Sequence, residues 1–439
     1  MSEPAKAASP AIRAPNAWLV LAALVVGLLL GIAARSMAGG APDSVLAVAT
    51  TVGSLWLDAL KMTVIPLVVA LLITGVAQNA EAARAGRVAG RTVLWIVIIC
   101  TVSAILGMLL MQLLVGAFPL SGGAASALQS AIVGVAPTAT NAPVAGAADI
   151  FGGIIPDNVV AAASNGEILP LVVFSLLFAL ALSQIAAARR ANLIGFFAAV
   201  ADVLLVIIGW VLWLAPIGIL ALAFVLGSSA GDAAFAALGH YILLVSIVGV
   251  AVTLLAYPLA VFRGGIPFTT FARGMLPPQS VAVSTRSSLA SLPAMLASAR
   301  QLGVREEVAD VALPISVALF RATGPAMNVA VAVYVAHLLG LDPTTGQIIA
   351  ATAVGAVMSY AAISLPGEVS FISSIAPVAM ALGAPIEPLA LLVAVEMVPD
   401  VVRTLGNVTF DVAVTTVVDR ETAEDSAAQR PAMARTRSE

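Results

Sequence analysis

Charge is scarce in this chain. Only 10% of its 439 residues are Asp, Glu, Lys or Arg, against about a quarter in an ordinary soluble domain. The net charge of −3 gives no basic field for nucleic acid. Cysteine occurs once, at Cys100, which excludes an internal disulfide framework and a multi-cysteine metal centre. Histidine occurs twice, at His240 and His337, too far apart in sequence to indicate a metal or catalytic cluster. Aromatic residues make up only 5%. What fills the chain is apolar: 61% hydrophobic, with a mean hydropathy of +1.08. Ala, Gly, Val and Leu dominate, and small residues let helix backbones approach closely in lipid. Composition therefore points to a tightly packed helical bundle in a membrane.

A helix needs about 20 apolar residues to cross the hydrocarbon core. Stretches of that kind lie at 17–34, 46–78, 92–118, 166–188, 194–226 and 238–262. Basic residues orient them. They cluster at Lys6 and Arg13, at Arg84, Arg87 and Arg91, at Arg189 and Arg190, and at Arg263 and Arg273. They return at Arg300, Arg305, Arg420, Arg430, Arg435 and Arg437, whereas 119–165 and 227–240 hold no Lys or Arg. By the positive-inside rule both termini are cytoplasmic and the two uncharged segments face outward. The segment 119–165, rich in Ala, Gly, Pro and Ser, reads as an external excursion.

Beyond Arg263 the pattern changes. Segment 275–299 is broken by prolines and a Thr-Arg-Ser-Ser run, and charged residues flank it on both sides. A re-entrant hairpin suits it better than a span. A seventh span is expected at 311–337, a second interrupted segment at 345–383 around "ISLPGEVSFISS", and an eighth span at 385–418. Two broken segments, each coupled to a polar-bearing helix, suggest an inverted repeat. Non-helical backbone at membrane depth has to line protein or a wet cavity, so such segments point to a transporter's binding site. The fold expected is an all-α polytopic membrane protein with eight transmembrane helices and two re-entrant hairpins. Its divisions are a cytoplasmic tail at 1–16, scaffold spans at 17–262, a transport core at 263–418 and a disordered cytoplasmic tail at 419–439. Spans three and six are candidates to join the core.

The stretch "EMVPDVVRTLGNVTFDV" in the last span carries the chemistry. At about 100° per residue, Glu396, Asp400, Arg403, Thr404, Asn407 and Asp411 share one narrow helix face. A charge at the bilayer centre costs about 3 kcal/mol or more, so a single stripe is explained by a cavity that handles solute. The plainer reading is an ion-pair network that only fixes packing. Arginine meets a carboxylate through two parallel N–H donors, which makes Arg403 the natural anchor for an anionic substrate. Asp411 and Asn407 offer oxygens that suit a hard monovalent cation or, at Asp411, a proton. Asp400 either holds a substrate ammonium group or pairs with Arg403.

At these residues the chain resembles the dicarboxylate/amino acid:cation symporter family, the glutamate/aspartate transporters. That family's D-x-x-R-T-x-x-N-V-x-x-D pattern stands here as Asp400, Arg403, Thr404, Asn407, Val408 and Asp411. Its serine-rich first hairpin tip is matched by Thr285, Arg286, Ser287, Ser288, then Leu292 and Pro293, and its second tip by Leu365, Pro366 and Gly367. "KMTVIPLVV" (61–69), "GGIIPDNVVAAASNGEILPLVVFSLLFALAL" (152–182) and "APIGILAL" (215–222) also match, and the likeness covers about residues 17–420.

The resemblance implies a secondary active transporter in the cell inner membrane, with no enzyme activity and no cofactor beyond a co-transported Na+ or H+. It implies a homotrimer whose transport domains each move across a static scaffold. It also implies a small acidic substrate, a C4-dicarboxylate or an acidic amino acid. Arg403 would hold that substrate, with Asp400, Thr404, Asn407, Ser287 and Ser288 assisting, and Pro366 and Gly367 at the second gate.

One departure stands out. The family's unwound N-M-D-G-T element is replaced by Phe320, Arg321, Ala322, Thr323 and Gly324, and a polar sodium-binding trio of span three by Ile96, Ile99 and Cys100. Two sodium sites look dismantled, leaving Asn407 and Asp411 as the possible Na+ ligands. Arg321 then either pairs with Asp411 where relatives bind sodium, or binds a second substrate carboxylate. If protons replace sodium, Glu396 or Glu368 is the expected carrier. An intramembrane serine hydrolase is disfavoured because Ser287 and Ser288 have no histidine in their segment and no G-x-S-x-G element occurs. An anion channel is disfavoured because the internal charges form no repeated pore ring.

Overall fold

The computed structural model describes residues 17–37, 41–120, 155–361 and 367–436, with no side chains described at 17, 360, 361, 367–369 and 426–436. The described residues are mostly helical, with no strand among them. Among them, seven helical stretches are long and apolar enough to cross a membrane. The outer faces of the bundle remain apolar, with Leu29, Leu109, Val203 and Leu243 more than half exposed, as hydrocarbon-facing positions are. This is an all-α polytopic membrane protein.

The first part of the chain forms α1 (Ala17–Ser36), α2 (Asp43–Arg84), α3 (Arg87–Ala117), α4 (Val159–Asn165) and α5 (Ile168–Leu182). Next come α6 (Ala187–Trp213), α7 (Ala215–Ala230) and α8 (Ala233–Leu254), the last continued by the turns Ala256–Pro258 and Leu259–Arg263. The stretch 194–226, read above as one span, is thus two helices that meet at Leu214, with Pro216 in the first turn of α7. A proline inside one continuous helix would lose a backbone hydrogen bond; at a helix start it loses nothing. The expected span at 166–188 is likewise only 15 residues of helix in α5. That is shorter than a full crossing requires.

α1 lies along α7 with glycines at the crossing. A β-carbon on Gly27 would stand 2.6 Å from the Leu220 carbonyl oxygen, and one on Gly31 2.3 Å from that of Phe224. Gly27 and Gly31 make the small-xxx-small spacing that allows backbones to touch in lipid. α2 packs on α6 and α7, where the Trp56 indole donates to the Val211 carbonyl at 2.8 Å.

The second part begins with α9 (Phe268–Thr285) and α10 (Ser288–Gln301), which pack on each other as a helical hairpin. The tip is Arg286, in the left-handed region at φ 51°, and Ser287, whose hydroxyl caps α10 by accepting from Ala290 N. The expected span at 311–337 is two helices, α11 (Glu306–Leu319) and α12 (Gly324–Leu338), interrupted at 320–323. α13 (Thr345–Ala361) and α14 (Gly367–Ala381) pack together in the second interrupted segment. The eighth span is itself jointed: α15 (Glu387–Leu392), a tight turn at Val393–Val395, and α16 (Met397–Thr436). α16 runs on through the segment expected as a disordered tail. Its 419–425 stretch is tied down, with Arg305 on Asp419 at 2.7 Å and both Arg91 and Arg263 on Glu421 at 2.7 Å.

Lys61 of α2 is 3.6 Å from Asp58, the partner the spacing suggests, but only 2.5 Å from Glu387 at the start of α15. Asp58 is largely exposed whereas Glu387 is buried, so the tighter contact is the desolvated one.

Candidate functional site

The polar stripe of α16 is buried. Glu396 is 2% exposed, Asp400 and Arg403 8%, Thr404 5%, Asn407 2% and Asp411 0%. Such a row of polar groups inside a protein has to be held by partners.

Arg403 finds its partner in Glu396, with guanidinium to carboxylate at 2.7 Å. Glu396 sits at the joint between the Val393–Val395 turn and α16, and its second oxygen accepts from the Tyr241 hydroxyl of α8 at 3.1 Å. Of the two arrangements left open for Asp400, the pairing with Arg403 is not formed. Its carboxylate instead lies 3.6 Å from Arg286 at the hairpin tip. Thr404 donates its hydroxyl to the Asp400 carbonyl at 2.9 Å, a bond within its own helix.

The break between α11 and α12 reaches into the same region. Thr323 gives its backbone N–H to Asn407 Oδ1 at 3.0 Å. Its hydroxyl lies 2.8 Å both from that oxygen and from the Arg403 carbonyl. The N–H takes one of the two acceptor sites of the Asn407 amide oxygen, and the single hydroxyl proton is shared between its other site and the Arg403 carbonyl. Close approach is enforced by Gly406, where a β-carbon would stand 2.3 Å from both Thr253 Oγ1 of α8 and Thr323 Cγ2. Gln279 of α9 completes the frame, donating to Thr409 at 3.0 Å and to the Tyr257 hydroxyl at 3.1 Å.

Asp411 lies one turn further along. Neither carboxylate oxygen has a hydrogen-bond partner among the described residues. Arg321 acts on Asp411, Asp400 and Arg403 through space. Cys100 of α3 is buried against the Arg321 backbone, and Ile96 and Ile99 beside it are buried too. Of the three span-three positions, Cys100 is thus the one that meets the helix break.

The structure therefore brings Glu396, Asp400, Arg403, Thr404, Asn407 and Asp411 together with Arg286 and Arg321. Ser287 is spent on capping α10, and Ser288 opens that helix. Pro366 lies outside the described residues, and Gly367 and Glu368 are placed only as the opening of α14, their side chains being outside the described set. Tyr241 and Gln279 were not foreseen. The signal for Tyr241 was present: a buried tyrosine hydroxyl needs a partner, and this one lies in a largely apolar span.

The pattern of the sodium:dicarboxylate symporter family matches residues 17–421. The chain belongs to that family. It is a transporter by family, not an enzyme. Similar proteins include the proton/glutamate-aspartate symporter of Escherichia coli, 28% identical over 396 residues, covering 89% of each chain. The proton/sodium-glutamate symport protein of Bacillus subtilis is 29% identical over 405 residues, with 90% of this chain and 91% of the relative covered. A C4-dicarboxylate transport protein of Laribacter hongkongensis is 26% identical over 417 residues, with 93% and 90% covered. Membership makes the bilayer and a small anionic substrate the partners of this symporter-family chain.

Proposed function

We propose that this protein is a symporter of C4-dicarboxylates or acidic amino acids that moves its substrate together with a proton. One observation carries the reading: a buried guanidinium, Arg403, set among Asp400, Thr404 and Asn407 beside a helical hairpin tip. A planar fork of N–H donors in a low-dielectric site is the group that selects a carboxylate. An amino acid substrate would add an ammonium group for Asp400, in competition with Arg286. A dicarboxylate would add a second carboxylate for Arg286 or Arg321. The relatives' names cover both classes.

The proton is favoured over sodium by what surrounds the conventional ligands. Asn407 Oδ1 already accepts from the Thr323 N–H, and the Thr323 hydroxyl stands 2.8 Å from it. The guanidinium of Arg321 lies within electrostatic reach of Asp411, so the carboxylate already has a positive charge near it. Ile96, Ile99 and Cys100 offer no hard oxygen ligand, and Na+ prefers oxygen as other hard cations do.

Alternating access would follow an elevator path. α1, α2, α6 and α7 pack on one another and would form the static part. The two hairpins, α11, α12 and α16 would travel with the substrate, joined by α3 and α8, which pack against α12 and α16. A homotrimer in the cell inner membrane with both termini cytoplasmic completes the proposal.

The test is uptake of labelled aspartate and succinate into proteoliposomes under an imposed proton gradient, then under an imposed sodium gradient. Proton-driven accumulation that is unaffected by replacing sodium with choline is expected. Accumulation driven by sodium alone would overturn the proton assignment, and no saturable uptake of any acidic solute would overturn the function.

A further inference from the structure

Glu396 makes a close ion pair with the guanidinium that a substrate carboxylate needs, touching it at one nitrogen. It holds Arg403 at 2.7 Å through Oε1 and takes the Tyr241 hydroxyl at 3.1 Å on Oε2. The joint at Val393–Val395 delivers the carboxylate to this position, one turn before the stripe's other members.

Among the described residues, several charged and titratable groups face the pair. From α8 comes Tyr241; behind it Tyr334 of α12 stands edge-on at 5.4 Å, with His240 at 3.2 Å from the Tyr334 hydroxyl. From α16 comes Asp400, with Arg286 of the α9–α10 tip 3.6 Å from its carboxylate. From the α11–α12 break comes Arg321, which acts on Arg403 and Asp400 through space.

We propose that Glu396 is an internal stand-in for the substrate carboxylate and the carrier of the coupled proton. The proposal rests on the transport reading above and supplies its coupling step. Substrate and Glu396 compete for one guanidinium. When the substrate carboxylate takes Arg403, Glu396 is left as a buried carboxylate without its counter-charge, a state that burial penalises heavily. It relieves that penalty by binding one proton from water, becoming a neutral acid beside the Tyr241 hydroxyl. The loaded site thus holds one substrate and one proton, and the empty site holds neither. On release the proton leaves and Glu396 returns to Arg403, so the empty site crosses with its two charges mutually neutralised. Coupling of this kind is reciprocal: the proton tightens substrate binding by the factor that substrate tightens proton binding.

The test is calorimetric titration of the purified full-length protein with L-aspartate and with succinate, in two buffers of different protonation enthalpy. Uptake of one proton per substrate bound is expected. Affinity should fall as pH rises, by about tenfold per unit where Glu396 is ionised in the empty site. Binding with no proton uptake overturns the proposal while leaving the acidic-substrate reading intact. Binding of neither compound overturns both. Glu396→Gln removes the competitor and the proton site together. It should bind substrate at least about tenfold tighter, with no proton uptake and a flat pH profile. Proton uptake persisting in Glu396→Gln overturns the assignment. Tyr241→Phe, which removes only the hydroxyl on Oε2, gives a second reading if Glu396→Gln does not fold. It should move the pH at which affinity falls, and an unmoved profile counts against Glu396.

Discussion

Thr323→Val tests whether the helix break is locked to the last span. The Thr323 side chain is fully buried, and its hydroxyl lies 2.8 Å from both Asn407 Oδ1 and the Arg403 carbonyl. One hydroxyl carries one proton, so the substitution removes one hydrogen bond, not two. The Thr323 N–H still serves Asn407 at 3.0 Å, so that oxygen keeps a donor. Valine matches threonine in shape, which limits any cavity contribution. The expected loss is therefore about 1–2 kcal/mol, the net value of a buried hydrogen bond plus part of the cost of an under-satisfied acceptor. Thermal unfolding of the purified protein in detergent reads it, with Thr323→Ser as the control that retains the hydroxyl. Valine should lower the midpoint and serine should recover most of the loss. A valine variant as stable as the unaltered protein, or a serine variant equally weakened, would refute the lock.

Two further outcomes follow from the packing. Gly406→Ala would press a methyl to 2.3 Å from Thr253 and Thr323. The cost should be about 1–3 kcal/mol or more, seen as a lower unfolding midpoint, and an unchanged midpoint would show that α8 and the break can yield there. For Lys61 and Glu387, at 2.5 Å with side-chain exposures of 31% and 8%, a double-mutant cycle with Lys61→Met and Glu387→Gln should give a coupling between the ~1 kcal/mol of an exposed pair and the ~3–5 kcal/mol of a buried one. A coupling indistinguishable from zero would mean that solvent screens the contact.

The stripe on α16 was legible because one helix period decides it, and the structure buries all six of its polar members. The α9–α10 hairpin was legible from charges on both flanks of 275–299, with its tip at the Thr-Arg-Ser-Ser run. Partner choice was not legible. Helical spacing offers Asp400 to Arg403 and Asp58 to Lys61, but the closest contacts come from Glu396 and Glu387, each placed by a turn or a neighbouring helix that local spacing does not report. The division at Leu214 was hidden because an apolar run reads the same whether one helix or two carries it. The continuation of α16 to Thr436 was hidden for the opposite reason. The 419–425 segment looks solvated in sequence, yet its charges meet Arg91, Arg263 and Arg305 from three distant segments.

The most direct measurement is uptake of labelled aspartate and succinate into proteoliposomes containing Arg403→Lys or Arg403→Met protein. Lysine keeps the charge that faces Glu396 but gives up the two-pronged geometry. Uptake should fall roughly 10- to 100-fold with lysine, the value of a charge-assisted hydrogen bond, and vanish with methionine. Undiminished transport of acidic solutes by the methionine variant would contradict the account.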